Sequence, residues 1–225
     1  KAMPVNHPPG DAHQEDGASD TRPAGDREAP ARPRRTQAER TATTRQALLD
    51  AGRSLFAERG FAGAGQEEIV DRAGVTRGAL SHHFGTKQGL FLAVVQDVQG
   101  DVAGRIGRAA AEGGDPMEQL RRGCLAFLDA AMERSVARIV LLDAPAVLGW
   151  QTWREIDAVH GLGLVTEALE HVMDAGLIET QPVLPLAHLL LAALNEAAML
   201  VANDEDPAAT RTLVGVTVER LLDRL

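Results

Sequence analysis

The 225-residue sequence has no tyrosine, one cysteine and two tryptophans. A lone Cys124 cannot close an internal disulfide, and it fits a reducing cytoplasm. No run approaches the roughly 18 apolar residues of a membrane span, because charges or prolines recur within a turn or two. No membrane partner is expected. Lys1 to Gly10 contain no apolar core of a secretion signal, so export is not expected. No nucleophile–base pair, phosphate loop or GxGxxG is present; "GLGLV" at 161–165 is a fragment inside a helical pattern. His82 and His83 are adjacent, diverge by about 100° on a helix, and have no carboxylate or cysteine following at ligand spacing. Neither an enzyme nor a bound metal or cofactor is expected. No stretch alternates as a strand does, and β-branched residues cluster nowhere. The chain reads as all-α.

The charge is unevenly spread. The formal net of −9 divides into 0 for residues 1–35, +1 for 36–88 and −10 for 89–225. The acidity therefore belongs to the C-terminal body, and a neutral-to-basic N-terminal half is left free to meet a polyanion. Residues 1–35 are rich in Pro, Gly, Asp and Ala, with almost no large apolar side chain, and read as a disordered tail. Arg32, Arg34, Arg35 and Arg40 make a basic run, and Arg32, Arg34 and Arg35 read either as solubilising charge or as an arm for a DNA minor groove.

From Thr36 the texture becomes helical. Leu48, Leu49, Gly52, Leu55 and Phe56 recur at three- and four-residue steps up to Gly60, a natural end. "QEEIVDRAG" is a second, short helix, with acids in its first turn. Thr76 caps a third through Phe84, and Thr86 a fourth from Lys87 to about Ala111. Asp115-Pro116 opens a fifth, to about Glu133. Ser135 starts a short one ending near Asp143, and a long one runs over 149–175. Pro185 and Pro207 open the last two. Three divisions follow: the tail 1–35, a small head 36–88, and a helical body 89–225.

Residues 66–84 read as helix, tight turn, helix. Gly74 suits the turn, while Ile69, Val70, Val75 and Leu80 face inward. Arg77, Gly78, Ser81 and His82 lie on the outer side. That pattern suits a helix entering a major groove: donors at its start, small residues for close approach, and a positive dipole end toward phosphates.

"TRQALLDAGRSLFAERGF…EEIVDRAGVTRGALSHHFGTKQGLFLAVV" resembles the DNA-binding domain of the tetracycline-repressor (TetR) family of bacterial regulators. The resemblance covers about residues 44–95. It implies a homodimeric repressor on a palindromic double-stranded DNA operator, with a second half that binds a small-molecule effector and dimerises. By resemblance, Thr76, Arg77, Gly78, Ala79, Ser81 and His82 sit where the recognition helix meets bases and backbone. His83 and Lys87 match phosphate-holding positions. The chain departs from the family at Ala64 and Gly65, which replace the usual Thr and Ser that cap helix two, so Gln66 is expected to take part of that phosphate contact. Ser81 replaces the usual tyrosine.

Candidates for an effector pocket in the body are Phe127, Leu128, Leu142, Asp143, Trp150, Trp153, Asn195 and Met199, an apolar set with a few polar groups. The polar pair Asn195-Glu196 inside "LLLAALNEAAMLVA" needs partners, in the pocket or in a dimer interface. For that interface the last two helices offer Leu189, Ala192, Glu196 and Met199, with Leu213, Val216, Thr217, Arg220 and Leu221. Cys124 reads as core. The alternative to a ligand-responsive regulator is a ligand-independent architectural or protein-interaction module.

Overall fold

Short polar side chains start most of the helices. In the computed structural model, which describes residues 36–225, Thr36 and Glu39 form a reciprocal capping box at the start of α1 (Gln37–Gly63). Thr76 caps α3 (Arg77–Phe84), and Thr86 caps α4 (Lys87–Ala111). Asp115 caps α5 (Pro116–Ala131), and Asp206 caps α9 (Pro207–Leu222), each with a proline in the first turn where its missing N–H costs nothing. Between α1 and α3 lies α2 (Gln66–Ala73), which has no side-chain cap because Gly65 precedes it. Among the described residues no strand occurs. The expected disorder of residues 1–35, and the groove-arm role of Arg32, Arg34 and Arg35, lie outside them.

The body departs from expectation in detail. Ser135 makes no capping bond, and α6 is π-helical over Val136–Asp143 before tightening over Ala144–Leu148. The expected long helix, α7, is α-helical over Trp150–Asp157, widens over Ala158–Leu162 and resumes over Gly163–Asp174. Val183, not Pro185, opens α8 (Val183–Asn203). That helix also amends the expectation about apolar runs: within its 21 residues an 18-residue stretch has a mean hydropathy of 1.7, long and apolar enough to cross a membrane by length and composition. Here it packs on α5, α7 and α9, and it carries the buried Asn195.

There are two cores, and α4 belongs to the first while packing on α5 of the second. The first gathers Leu48, Leu55 and Phe56 of α1, Ile69 of α2, Leu80 of α3 and Leu90 to Val98 of α4. It continues through Ile139 and Val140 of α6 to Trp153 and Ile156 of α7. At its centre the Phe56 and Phe91 rings meet edge-on at 5.0 Å, and Phe61 packs 5.0 Å from Phe91. The second core joins α5, the later part of α7, α8 and α9 around Leu128, Leu169, Val172, Ala198 and Leu222. Gln99 and Val102 of α4 face the space between α5 and α7, so one helix serves both halves.

Phe56 has no exposed surface, and its neighbours cannot collapse without moving α4. Phe56→Ala should destabilise the fold by about 3–5 kcal/mol. Urea unfolding followed by circular dichroism measures this, and a loss below about 1 kcal/mol would show that the aromatic cluster is not central.

Candidate nucleic-acid interface and effector cavity

The turn between α2 and α3 is short because Gly74 takes the left-handed conformation (φ 66°), returning the Val75 N–H to the Val70 carbonyl. Ile69, Val70 and Leu80 are buried and fix the two helices on α1. An ion-pair clasp holds the outer side: Arg72 donates to Glu58 at 2.8 Å and to Ser54 at 2.9 Å, and Arg59 pairs with Glu68 at 2.7 Å. The Arg72 hydrogen bond, then that of Ser54, holds the Glu58 carboxyl below the usual range.

This packing leaves one face of α3 open. Arg77, Gly78, Ser81 and His82 are exposed, while Ala79 and His83 are half-buried. Thr76 Oγ1 accepts from the Ala79 N–H, so its hydroxyl caps the helix and stands at its positive end. Arg77 pairs with Glu67 across the surface at 2.9 Å. So exposed a pair is weakly held, and the guanidinium is free to exchange Glu67 for a base or phosphate. Gln66 begins α2, half-buried, on the uncapped end.

Lys87 departs from expectation. Its Nζ donates to the Phe61 carbonyl at 2.9 Å and the Ala64 carbonyl at 3.0 Å, and sits 4.2 Å from the Phe61 ring centroid. The cause is local. Gly60 (φ 73°, ψ 172°) breaks α1 before its last turn, and the carbonyls freed there need donors. Most of the hydrogen-bonding capacity of Lys87 closes this end, leaving little for a phosphate.

The same break engages the body. The Phe61 N–H donates to Asp143 Oδ2 at 2.7 Å, and Arg138 Nε lies 3.5 Å from Asp143 Oδ1. A Cβ at Gly60 would meet the Arg138 guanidinium at 2.5 Å. Gln88 Nε2 also donates to the Val147 carbonyl at 3.0 Å. Asp143, placed in the pocket by sequence, thus holds the last turn of α1 instead.

A cavity of about 330 Å³ lies between α4, α5 and α7, with Leu191 and Leu194 of α8 closing it. Of the sequence candidates only Phe127 lines it. Leu128 points into the second core, and Leu142 lies outside the wall. Trp153 turns into the first core and donates its indole N–H to the Val140 carbonyl at 3.0 Å. Trp150 is 64 % exposed and stacks 4.9 Å from it. Met199 packs on the second core and borders a shallow surface hollow with Glu196. Asn195 stands behind the wall, donating to Asp157 Oδ2 at 2.9 Å.

The polar groups of the wall are Gln99, Gln119, Asp157, His160, Glu167 and His171, most of which the sequence reading passed over. Two had a signal. Gln99 interrupts the valine stripe of α4, and Asp157 follows buried Trp153 at i+4 on a helix face that continues to His160. Cys124 is buried at the wall, and burial pushes its thiol up to about 12.

Residues 48–94 match the family described as bacterial regulatory proteins, tetR family, and residues 117–225 match a tetracyclin repressor-like C-terminal domain. The structure resembles that of a TetR-family transcriptional regulator from Pectobacterium atrosepticum (TM-score 0.72, 34 % identity), covering 84 % of this chain and 96 % of that one. Over 82 residues, 36 % of this chain, the sequence is 38 % identical to the transcriptional activator FasR of Mycolicibacterium smegmatis. It is 37 % identical over the same length to the repressor AcnR of Corynebacterium glutamicum. These matches span 37 % and 40 % of the relatives' own lengths.

Two substitutions separate reading from holding. Arg77→Ala should lower affinity for a specific site on the order of ten-fold or more, with little change on random DNA. His83→Ala should weaken both alike and reduce the salt dependence. Fluorescence anisotropy on specific and random duplexes decides; equal losses for Arg77→Ala would remove it from base recognition.

Proposed function

The chain belongs to the TetR family of bacterial regulators, and on that premise we propose that it is a sequence-specific transcriptional regulator of the cytoplasm. It acts as a homodimer on a palindromic operator in double-stranded DNA, as a repressor controlled by a small molecule in the body. The head, 36–88, reads DNA through α3; the body, 89–225, senses and dimerises. The bases and backbone fall to Thr76, Arg77, Gly78, Ala79, Ser81 and His82, with Gln66 and His83 on phosphates.

The observation that carries the reading is the double duty of α4. Its first turn is tied to α1 through Lys87, and a Cβ at Gly89 would collide with the Phe84 carbonyl, so it also sits hard against the end of α3. Fifteen Å or more along the same helix, by the rise per residue, Gln99, Val102 and Ile106 form the cavity wall. A molecule wedged there moves a lever whose other end carries the recognition helix. Gly100 and Gly107, with open space at their Cβ positions, weaken the helix where it passes the cavity. Asp143 adds a second link, since α6 connects it to Trp153 and α7 beside the same cavity. Two recognition helices must sit about one DNA turn, near 34 Å, apart, so a small tilt suffices for release. The effector shifts the equilibrium only by its difference in affinity for the two states. The cavity also weighs against a ligand-independent module.

The dimer face is the outer side of α8 and α9. Leu189 and Leu213 are each 70 % exposed, and Leu200, Val216 and Leu221 are exposed with them. Ala192, Glu196, Thr217 and Arg220 lie on the same solvent-facing surface, whereas half-buried Met199 belongs to the packed side. So many exposed leucines on two adjacent helices call for a partner, and the pair supports an isologous four-helix interface.

Leu213→Asp and Val216→Asp should each yield monomers in sedimentation, with operator affinity lost; a dimer surviving both moves the interface elsewhere. A gel-shift scan of DNA upstream of its own gene should reveal a palindromic site, and absence of specific binding to any genomic fragment would overturn the reading. Asp143→Ala should preserve effector binding, by calorimetry, while reducing the release of DNA that the effector causes. Unchanged release would place the coupling in α4 alone.

A further inference from the structure

We propose that the cavity accepts a small organic cation, an apolar body of one or two rings or a short chain carrying a protonated amine received by Asp157 and Gln99. The proposal rests on the reading of the chain as an effector-controlled regulator and adds the chemistry of the effector.

Two acceptor atoms of the wall lack a donor. Gln99 is 8 % exposed, and its Oε1 is enclosed with no hydrogen-bond partner among the described residues. An orphaned buried carbonyl is costly, and it is the group a ligand N–H would satisfy. Asp157 is 7 % exposed and spends Oδ2 on Asn195; no hydrogen bond from the described residues reaches Oδ1. Burial pushes its carboxyl above the usual value, with the Asn195 hydrogen bond only partly opposing this, so the anion is under-compensated. A cation placed beside it supplies what the protein leaves out.

Among the described residues the lining contains no lysine or arginine. A carboxylate or phosphate ligand would find no fixed countercharge there and would face Asp157 and Glu167. His160 and His171 are the remaining titratable groups of the wall besides buried Cys124. The rest, including Val102, Ile106, Leu120, Phe127 and Leu164, is apolar and fits a hydrocarbon body. Finally, the body carries twenty acidic side chains against ten basic ones, a field that concentrates cations around its surface.

The test uses three probes with one body and different heads: 4-phenylbutylamine, 4-phenylbutan-1-ol and 4-phenylbutyrate. Each is titrated into the full chain at about pH 8, by calorimetry and by thermal shift. The amine should bind about ten-fold or more tighter than the alcohol, as a charge-assisted hydrogen bond adds, and the carboxylate should not bind. Asp157→Asn should cost the amine about ten-fold and leave the alcohol unchanged within about two-fold. Gln99→Leu serves as the second variant should Asp157→Asn fail to fold, and should weaken amine and alcohol together. Equal binding of amine and alcohol, preferred binding of the carboxylate, or binding of none of the three overturns the proposal. Gel shifts on upstream DNA run in parallel: specific DNA binding with no amine binding leaves the regulator standing and removes the cation, whereas absent DNA binding removes the regulator reading itself.

Discussion

The backbone at the end of α1 must find partners inside the protein, and the way it does so ties the molecule together. Gly60 breaks the helix, leaving the Phe61 N–H and the Phe61 and Ala64 carbonyls without helical partners. The body supplies a carboxylate, Asp143, for the N–H, and α4 supplies an ammonium, Lys87, for the carbonyls. Satisfying buried backbone groups is close to obligatory, so these bonds fix where the helix-turn-helix stands relative to α4 and α6. The Phe61 ring, set by the same turn, completes the aromatic cluster with Phe56 and Phe91. Removing one partner would expose an orphan rather than merely delete a contact.

From that junction the logic of the body follows. On the proposed reading, a helix held at one end and open to a cavity at the other acts as a lever. The cavity is bounded mostly by side chains that prefer hydrocarbon, and among its polar groups Gln99 and Asp157 are acceptors whose partners are incomplete. Such a wall is unfavourable when empty of a donor, which is one way a site is poised to respond to one. The exposed leucines of α8 and α9 do not line the cavity, so the proposed sensing and the proposed pairing use different surfaces.

Much of this was legible in the chain. The helix starts at Thr36, Thr76, Thr86, Asp115 and Asp206 are local events, decided by one side chain and the N–H groups within three residues of it. The turn at Gly74 is equally local. So is the outward face of α3, because Leu80 and Val75 settle which side is buried. Lys87 was not legible: the carbonyls it closes lie more than twenty residues earlier, and only the break at Gly60 brings them near. The tryptophans misled for a related reason. An aromatic beside a helix end fits a pocket or a core equally, and the rotation of α7 that chose the core depends on where Val140 stands.

The sequence by itself determined the class, the number of helices and the exposed face of α3, since each rests on periodicities and caps that span a few residues. Only the tertiary structure decided where the cavity lies, that Asp157 and Gln99 share its wall, and that Asp143 serves the head rather than the pocket. These depend on helix rotations and on contacts between residues 38 to 82 positions apart. Such contacts arise from packing helices far apart in the chain against one another, and no local pattern encodes that.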